Sequence, residues 1–221
     1  MWEKGLNPDV VISNCMIDAL CFKKRAPEAL KIFNEMVGRG CSRTVATYNT
    51  LIKHLCKIRR MEKVSVLLCE MEERGGDCAP NEVTFSYLLG SLRSADEVDE
   101  ILERMKRNGC CLSLDTYNLL LRLYARWDCV DKFYAVWEEL SFSGIGADRR
   151  SYTIFVHWLY GKGSFDESLE IFKQMKSKGF LPESRTEILV SSMENIKKPG
   201  NLGGTLLNVK KNRINKCRTL S

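Results

Sequence analysis

Close-spaced metal ligands are missing from this chain. It has two histidines, His54 and His157, and ten cysteines but no Cys-x-x-Cys. Zinc fingers and thioredoxin-like sites need such spacing, so neither is supported. The His-x-Glu and Pro-Cys-x-x-Cys pair of a zinc deaminase is absent. So are His-Glu-x-x-His, Gly-x-x-x-x-Gly-Lys-Ser/Thr and Gly-x-Ser-x-Gly. The chain reads as a non-enzyme with no catalytic residues, no cofactor and no metal. No apolar run reaches 18 residues, so no membrane-spanning helix and no membrane partner are expected. The start, Met-Trp-Glu-Lys-Gly, lacks the charged-then-apolar order of a signal peptide and the Arg/Ser richness of a transit peptide. No alternating strand pattern occurs.

A surplus of one charge sign is also lacking over most of the chain. The formal net charge is +6, but residues 184–221 contain eight Lys/Arg and two acids. Residues 1–183 therefore carry 26 bases and 26 acids and are neutral. An attraction to polyanions read from net charge belongs to the C-terminal segment alone. An acidic cluster, Asp96, Glu97, Asp99 and Glu100, sits where a helix is expected to start, which favours a helix-dipole role over metal binding. Cys21 and Cys56 each follow a leucine one period apart and read as small packing residues in a reducing compartment.

What is present is a period. Met36, Met71, Met105, Leu140 and Met175 are spaced by 35, 34, 35 and 35 residues, and Gly40, Gly75, Gly109, Gly144 and Gly179 keep the same steps. Two markers on one ruler across five units identify a repeat array. A third set, Tyr48, Phe85, Tyr117 and Tyr152, has steps of 37, 32 and 35. The irregularity places a two-residue insertion at Gly-Asp-Cys and a three-residue loss in the third unit, in a helix end or its turn.

Each unit reads as two helices. Tyr48, Leu51, Ile52 and Leu55 form one apolar stripe, Arg59-Arg60 marks a break, and Val64, Leu67, Leu68 and Met71 form a second stripe. Gly75 ends that helix. Pro8, Pro80 and Pro182 stand a few residues past the glycine that ends their repeat, where helix continuation stops. One hairpin cannot bury both faces, so neighbours must stack.

The resulting frame is 10–44, 45–81, 82–113, 114–148 and 149–183. Residues 1–9 match the end of a preceding repeat: Lys4-Gly5-Leu6-Asn7-Pro8-Asp9 parallels Lys178-Gly179-Phe180-Leu181-Pro182-Glu183. The chain is thus expected to begin inside a repeat. Residues 184–199 read as a partial capping repeat with Ile188, Leu189 and Met193 as its apolar stripe, and 200–221 as a basic, flexible tail.

Val45-Ala46-Thr47-Tyr48-Asn49-Thr50-Leu51-Ile52, followed by Leu55-Cys56-Lys57, resembles the opening of a pentatricopeptide repeat. Phe172 to Glu183 resembles its close. The likeness covers 10–183, and the near-35 period is that of the plain, P-type subclass. It implies an all-α, right-handed α-solenoid of stacked antiparallel helix hairpins, about 35 residues per repeat.

The family binds single-stranded RNA, one base per repeat, reading each base with the fifth and last residues. The resemblance therefore implies the pairs Asn14 with Thr44, Asn49 with Asn81, Ser86 with Ser113, Asn118 with Asp148, and Thr153 with Glu183. The family's pairing gives a preference, 5′ to 3′, of pyrimidine, pyrimidine, purine, uracil, purine. Thr44, Ser113 and Glu183 depart from the family's usual Asp or Asn. The second residues, which clamp the bases, correspond to Val11, Ala46, Val83 and Arg150. Asp115 holds that place in the fourth repeat and would repel phosphate. Short amides and hydroxyls near helix starts also serve as caps, so a purely structural role stays open for all ten base-reading residues.

The resemblance further implies work in organellar RNA processing, stability, splicing or translation, alongside other RNA-processing proteins. It places the chain in the mitochondrion, with the chloroplast as alternative. Two other readings stand beside it: a scaffold that holds a peptide or helix in its groove, and a truncated family member that no longer functions.

Overall fold

A computed structural model describes residues 9–197, which form eleven α-helices and no strand among the described residues. They fall into two compact units, Met1–Gly146 and Ala147–Ser221. All but Asp9 of the N-terminal match over residues 1–9, residues 198–199 of the partial capping repeat and the basic tail lie outside the described residues.

The first unit holds α1 (Val10–Phe22), α2 (Ala26–Gly38), α3 (Val45–Lys57), α4 (Met61–Arg74), α5 (Glu82–Ser91), α6 (Val98–Arg107), α7 (Leu114–Trp127) and α8 (Val130–Phe142). Each odd-numbered helix packs against the even-numbered helix that follows it, and α1, α3, α5 and α7 also pack in a row. This is an α-solenoid of stacked hairpins. The second unit holds α9 (Arg149–Lys162), α10 (Phe165–Ser177) and α11 (Ser184–Lys197), with α9 packed on both others.

The apolar stripes explain the stacking. Tyr48, Leu51, Ile52 and Leu55 are at most 1% exposed, and Val64, Leu67, Leu68 and Met71 at most 5%. Removing each such side chain from water contributes about 1.5–3 kcal/mol. Because α3 touches α1, α4 and α5, that contribution exists only while the neighbouring hairpins are in place.

The two rulers keep step for a backbone reason. After α2, Cys41 N–H reaches the Met36 carbonyl at 2.9 Å and Gly40 N–H reaches Val37 at 3.1 Å. This is the paired closure of a helix by a left-handed residue, and Gly40 takes φ +78°. Met105 and Met175 accept in the same way from Cys110 and Phe180, each at 3.1 Å. The marker methionine thus sits in the core while its carbonyl closes the helix over the marker glycine. Gly75 differs, because the inserted Gly76–Cys78 forms a 3-10 turn instead.

Hairpin turns use the same device with other residues. Lys24, Arg59, Asp128 and Gly163 have φ between +61° and +84°. The residue after each donates to Leu20, Leu55, Tyr124 and Leu159 respectively. The third hairpin lacks this turn. Its two helices have ten residues each, against thirteen or fourteen in the others, and Leu92 is extended after α5. Both helices are three or four residues shorter than their counterparts, and the connection between them is six residues against two or three elsewhere, so the loss falls in the helices and not in the turn.

The stripe expected in α11 is corrected. Met193 is buried, but Ile188 is 71% exposed. Thr186, Val190 and Met193 are the buried face. Two residues on from Thr186 lies roughly 200° around the helix, which turns Ile188 outward. Cys21 and Cys56 are buried, as small packing residues would be, and burial pushes both thiols up. The nine described cysteines are free. Asp99 and Glu100 lie in the first turn of α6, and Asp99 pairs with Lys132 at 3.0 Å. No described helix is long and apolar enough to cross a membrane.

Candidate nucleic-acid interface

The residues expected at the ends of repeats all stand at the starts of first helices. Thr44, Asn81, Ser113 and Asp148 are the N-caps of α3, α5, α7 and α9. Thr84 N–H reaches Asn81 Oδ1 at 3.1 Å, Thr116 N–H reaches Ser113 Oγ at 3.3 Å, and Ser151 N–H reaches Asp148 Oδ1 at 2.8 Å. Extended backbone at the cap leaves these donors unpaired within the helix, and a short polar side chain satisfies them. A cap consumes one acceptor and leaves the rest of the side chain at the helix mouth.

One expected pair is brought together. Asn49 Nδ2 donates to Asn81 Oδ1 at 3.1 Å, and Thr84 Oγ1 donates to Asn49 Oδ1 at 2.7 Å. Asn49 is 9% exposed.

The other pairs differ. Asn14 Oδ1 is buried with no hydrogen-bond partner among the described residues, while Thr44 is engaged with Thr47 Oγ1 through its N–H (3.2 Å) and hydroxyl (3.3 Å). Ser113 turns to the Glu82 carboxylate, which also takes the Thr116 hydroxyl at 2.9 Å. Ser86 lines a cavity described below. Asn118 is 3% exposed in α7. In the second unit, Asp148 Oδ2 takes Arg150 Nε at 3.2 Å. Thr153 donates to the Arg149 carbonyl at 2.8 Å, and Arg149 pairs with Glu183 at 3.5 Å. Thr153 is bound to the Arg149 backbone and Glu183 to its guanidinium, at opposite ends of that residue.

The expected clamp residues are exposed: Val11 by 67%, Val83 by 47%, with Ala46, Arg150 and Asp115 also on the surface. Two exposed valines at the mouths of first helices offer flat apolar area that no core requirement explains.

Matches to known families follow this geometry. The PPR repeat family model matches residues 8–57 and 43–94, the pentatricopeptide repeat domain model 91–126, and the PPR repeat model 115–145 and 150–180. The chain belongs to the pentatricopeptide repeat family. A pentatricopeptide repeat-containing protein of Arabidopsis thaliana is 52% identical over 120 residues, covering 54% of this chain and 23% of that protein. A mitochondrial pentatricopeptide repeat-containing protein of the same plant is 32% identical over 228 residues, covering 87% of this chain and 40% of the relative. The chain thus spans less than half the length of either relative. Among solved structures, the pentatricopeptide repeat protein PPR10 in complex with an 18-nt psaJ RNA element matches with a TM-score of 0.67 at 26% identity, over 87% of this chain and 30% of that one.

Two features of this pentatricopeptide array escaped the sequence reading. One is a cavity of about 310 Å³ between α3 and α5, lined by Lys53, Lys57, Arg59, Ser86 and Tyr87 among others, with no carboxylate in its wall. The cations come from the far end of α3 and the turn after it, so no local charge run announces them. The other is the third residue of the four repeats from residue 45 onward and of the partial repeat at 184, the first repeat having Ile12 there. Thr47, Thr84, Thr116, Ser151 and Thr186 are all hydroxyl-bearing and at most 1% exposed. Their recurrence on the ruler was a usable signal.

Proposed function

We propose that this chain binds single-stranded RNA on the first helices of its repeats, one base per repeat, with frames at 10–44, 45–81, 82–113, 114–148 and 149–183. The observation that carries the reading is the joined Asn49 and Asn81 amides at a helix mouth, flanked by exposed Val83. Amides there hold their N–H donors at fixed positions with little entropy left to lose. Single-stranded bases expose the complementary edges. The Lys53, Lys57 and Arg59 cavity supplies positive charge where the array as a whole is neutral. The relationship to a PPR10 structure that holds RNA supports the same reading.

The base preference is pyrimidine, pyrimidine, purine, uracil, purine, 5′ to 3′. Stacking at about 1–3 kcal/mol per base, less ordering costs, gives modest affinity over five repeats. Binding rather than catalysis is the activity, in organellar RNA processing, stability, splicing or translation. The mitochondrion is the compartment, in line with the relative named mitochondrial that matches 87% of the chain. A second reading, a scaffold for a protein segment, is favoured by one observation: the equal numbers of acids and bases over 1–183.

Selection from a random single-stranded RNA pool at physiological salt, with a matching DNA pool, tests this. Enrichment of short motifs with pyrimidine at the second base and uracil at the fourth is expected. Salt-sensitive background without enrichment would move the function to a protein partner.

A further inference from the structure

We propose that Thr84 is a positioning residue: it sets which base the second repeat accepts by fixing the orientation of the Asn49 amide. The inference rests on the RNA-binding reading above. Thr84 is 0% exposed, so it cannot touch a base itself.

An asparagine amide can turn by 180° about its last torsion, exchanging a carbonyl oxygen for an NH₂ group in nearly the same volume. An unheld amide thus offers a base either acceptors or donors. Asn49 is held. Asn81 N–H donates to Thr84 Oγ1 at 3.1 Å, which directs the hydroxyl proton away from that backbone. The nearest acceptor is Asn49 Oδ1 at 2.7 Å, closer than Asn81 Oδ1 at 3.1 Å. Asn49 oxygen therefore faces Thr84, and its nitrogen faces Asn81 Oδ1 at 3.1 Å. Asn81 Oδ1 is already bound to Thr84 N–H, which fixes the second amide too. Both side-chain oxygens are engaged within the ring. The groups left over are amide N–H donors, which suit a base edge carrying an acceptor.

The neighbouring repeats show what closes the ring. In the first, Thr47 is engaged with Thr44, and Asn14 Oδ1 is buried without a partner among the described residues. In the third, Thr116 donates to Glu82, and the fifth residue is Ser86, which has no amide. A hydroxyl at the third residue is therefore insufficient. The ring here is completed by the carboxamide of Asn81, three residues before Thr84, and by that of Asn49 on the preceding first helix.

The test uses the full chain and two RNAs that differ only at the second base, pyrimidine or purine, in the proposed five-base site. The readout is the ratio of their Kd values for wild type, Thr84→Val, Thr84→Ser and Asn49→Ala. Thr84→Val keeps the shape and removes the hydroxyl, and the ratio is expected to shrink by about tenfold, equivalent to about 1.4 kcal/mol. Thr84→Ser is expected to retain the wild-type ratio. Lost capping in Thr84→Val weakens both RNAs alike and leaves the ratio unmoved, which separates positioning from a structural role. Thr84→Ala removes the same hydroxyl with less steric demand and replaces valine if that variant unfolds. An unchanged ratio in the hydroxyl-free variant, with a collapsed ratio in Asn49→Ala, overturns the role of Thr84 alone. An unchanged ratio in Asn49→Ala overturns base reading by this repeat and this proposal with it.

Discussion

Asn49 and Asn81 stand 32 residues apart in the chain, yet their side-chain amides meet at 3.1 Å. Asn49 lies within α3, and Asn81 caps α5. The contact exists because neighbouring first helices pack in register, so one helix mouth presents its cap to the preceding helix. A residue that caps a helix is immobilised by that duty, which makes it a good place for a recognition group. Capping and base reading are compatible here, since the cap uses the oxygen of Asn81 and not its nitrogen.

Removing one cation from the cavity should weaken RNA binding without changing its sequence preference. For Lys57→Ala, affinity is expected to fall equally for preferred and scrambled single strands. The slope of log K against log salt should drop by roughly 0.7, one phosphate contact on a single strand. Titrations at several salt concentrations check this. An unchanged slope would remove Lys57 from the phosphate path.

Arg104 grips Glu72 with two hydrogen bonds, at 2.8 and 2.7 Å, and joins α6 to α4. The Arg104 guanidinium holds the Glu72 carboxyl below its ordinary value of 4.5, aided by the Asn108 amide and opposed by burial. A carboxylate depressed in the fold stabilises it fully above 4.5, and the stabilisation is lost as pH falls through the lower folded value. Arg104→Ala is expected to cost about 1.5–3 kcal/mol at pH 7. Glu72→Gln should flatten the dependence of stability on pH below 4.5. Urea melts across that range give the answer.

His157 faces the Thr186 hydroxyl at 3.0 Å inside the second unit. Burial pulls the imidazole below its ordinary value of 6.5, and Arg185 adds to this while Glu183 opposes it. The fold therefore disfavours the protonated ring. Its stabilisation is complete above 6.5 and declines as pH drops through the folded value. Thermal melts at pH 7.5 and 5.5 should show a smaller acid loss in His157→Gln than in wild type.

Lys24 is exposed and holds φ +61° in the turn between α1 and α2. A side chain in that region costs about 1–2 kcal/mol that glycine avoids, partly offset by glycine's greater freedom when unfolded. Lys24→Gly is expected to raise stability by about 0.5–1 kcal/mol. A lower melting temperature would show that the lysine stem packs on the turn.

Most of the fold was legible because its causes are local. The period of marker methionines and glycines arises from a closure spanning six residues, as between Met36 and Cys41. Stripes such as Val64, Leu67, Leu68 and Met71 repeat at helical spacing whatever lies beside them. The site was legible only as a set of positions. Asn49 and Asn81 could be named, but their contact could not, nor could Thr84 between them.

The amino-acid sequence thus determined the helices, their pairing into hairpins and the buried faces of regular repeats such as the second, since periodicity and helix closure act within one or two turns. Tertiary structure alone decided three things. It closed the Asn49–Asn81–Thr84 ring, gathered Lys53, Lys57 and Arg59 around a cavity beside Ser86, and turned Ile188 outward. Each depends on which helix lies against which, and at what rotation. Hydrogen bonds and charge clusters reach only a few ångströms and form where stacking brings distant residues within that range.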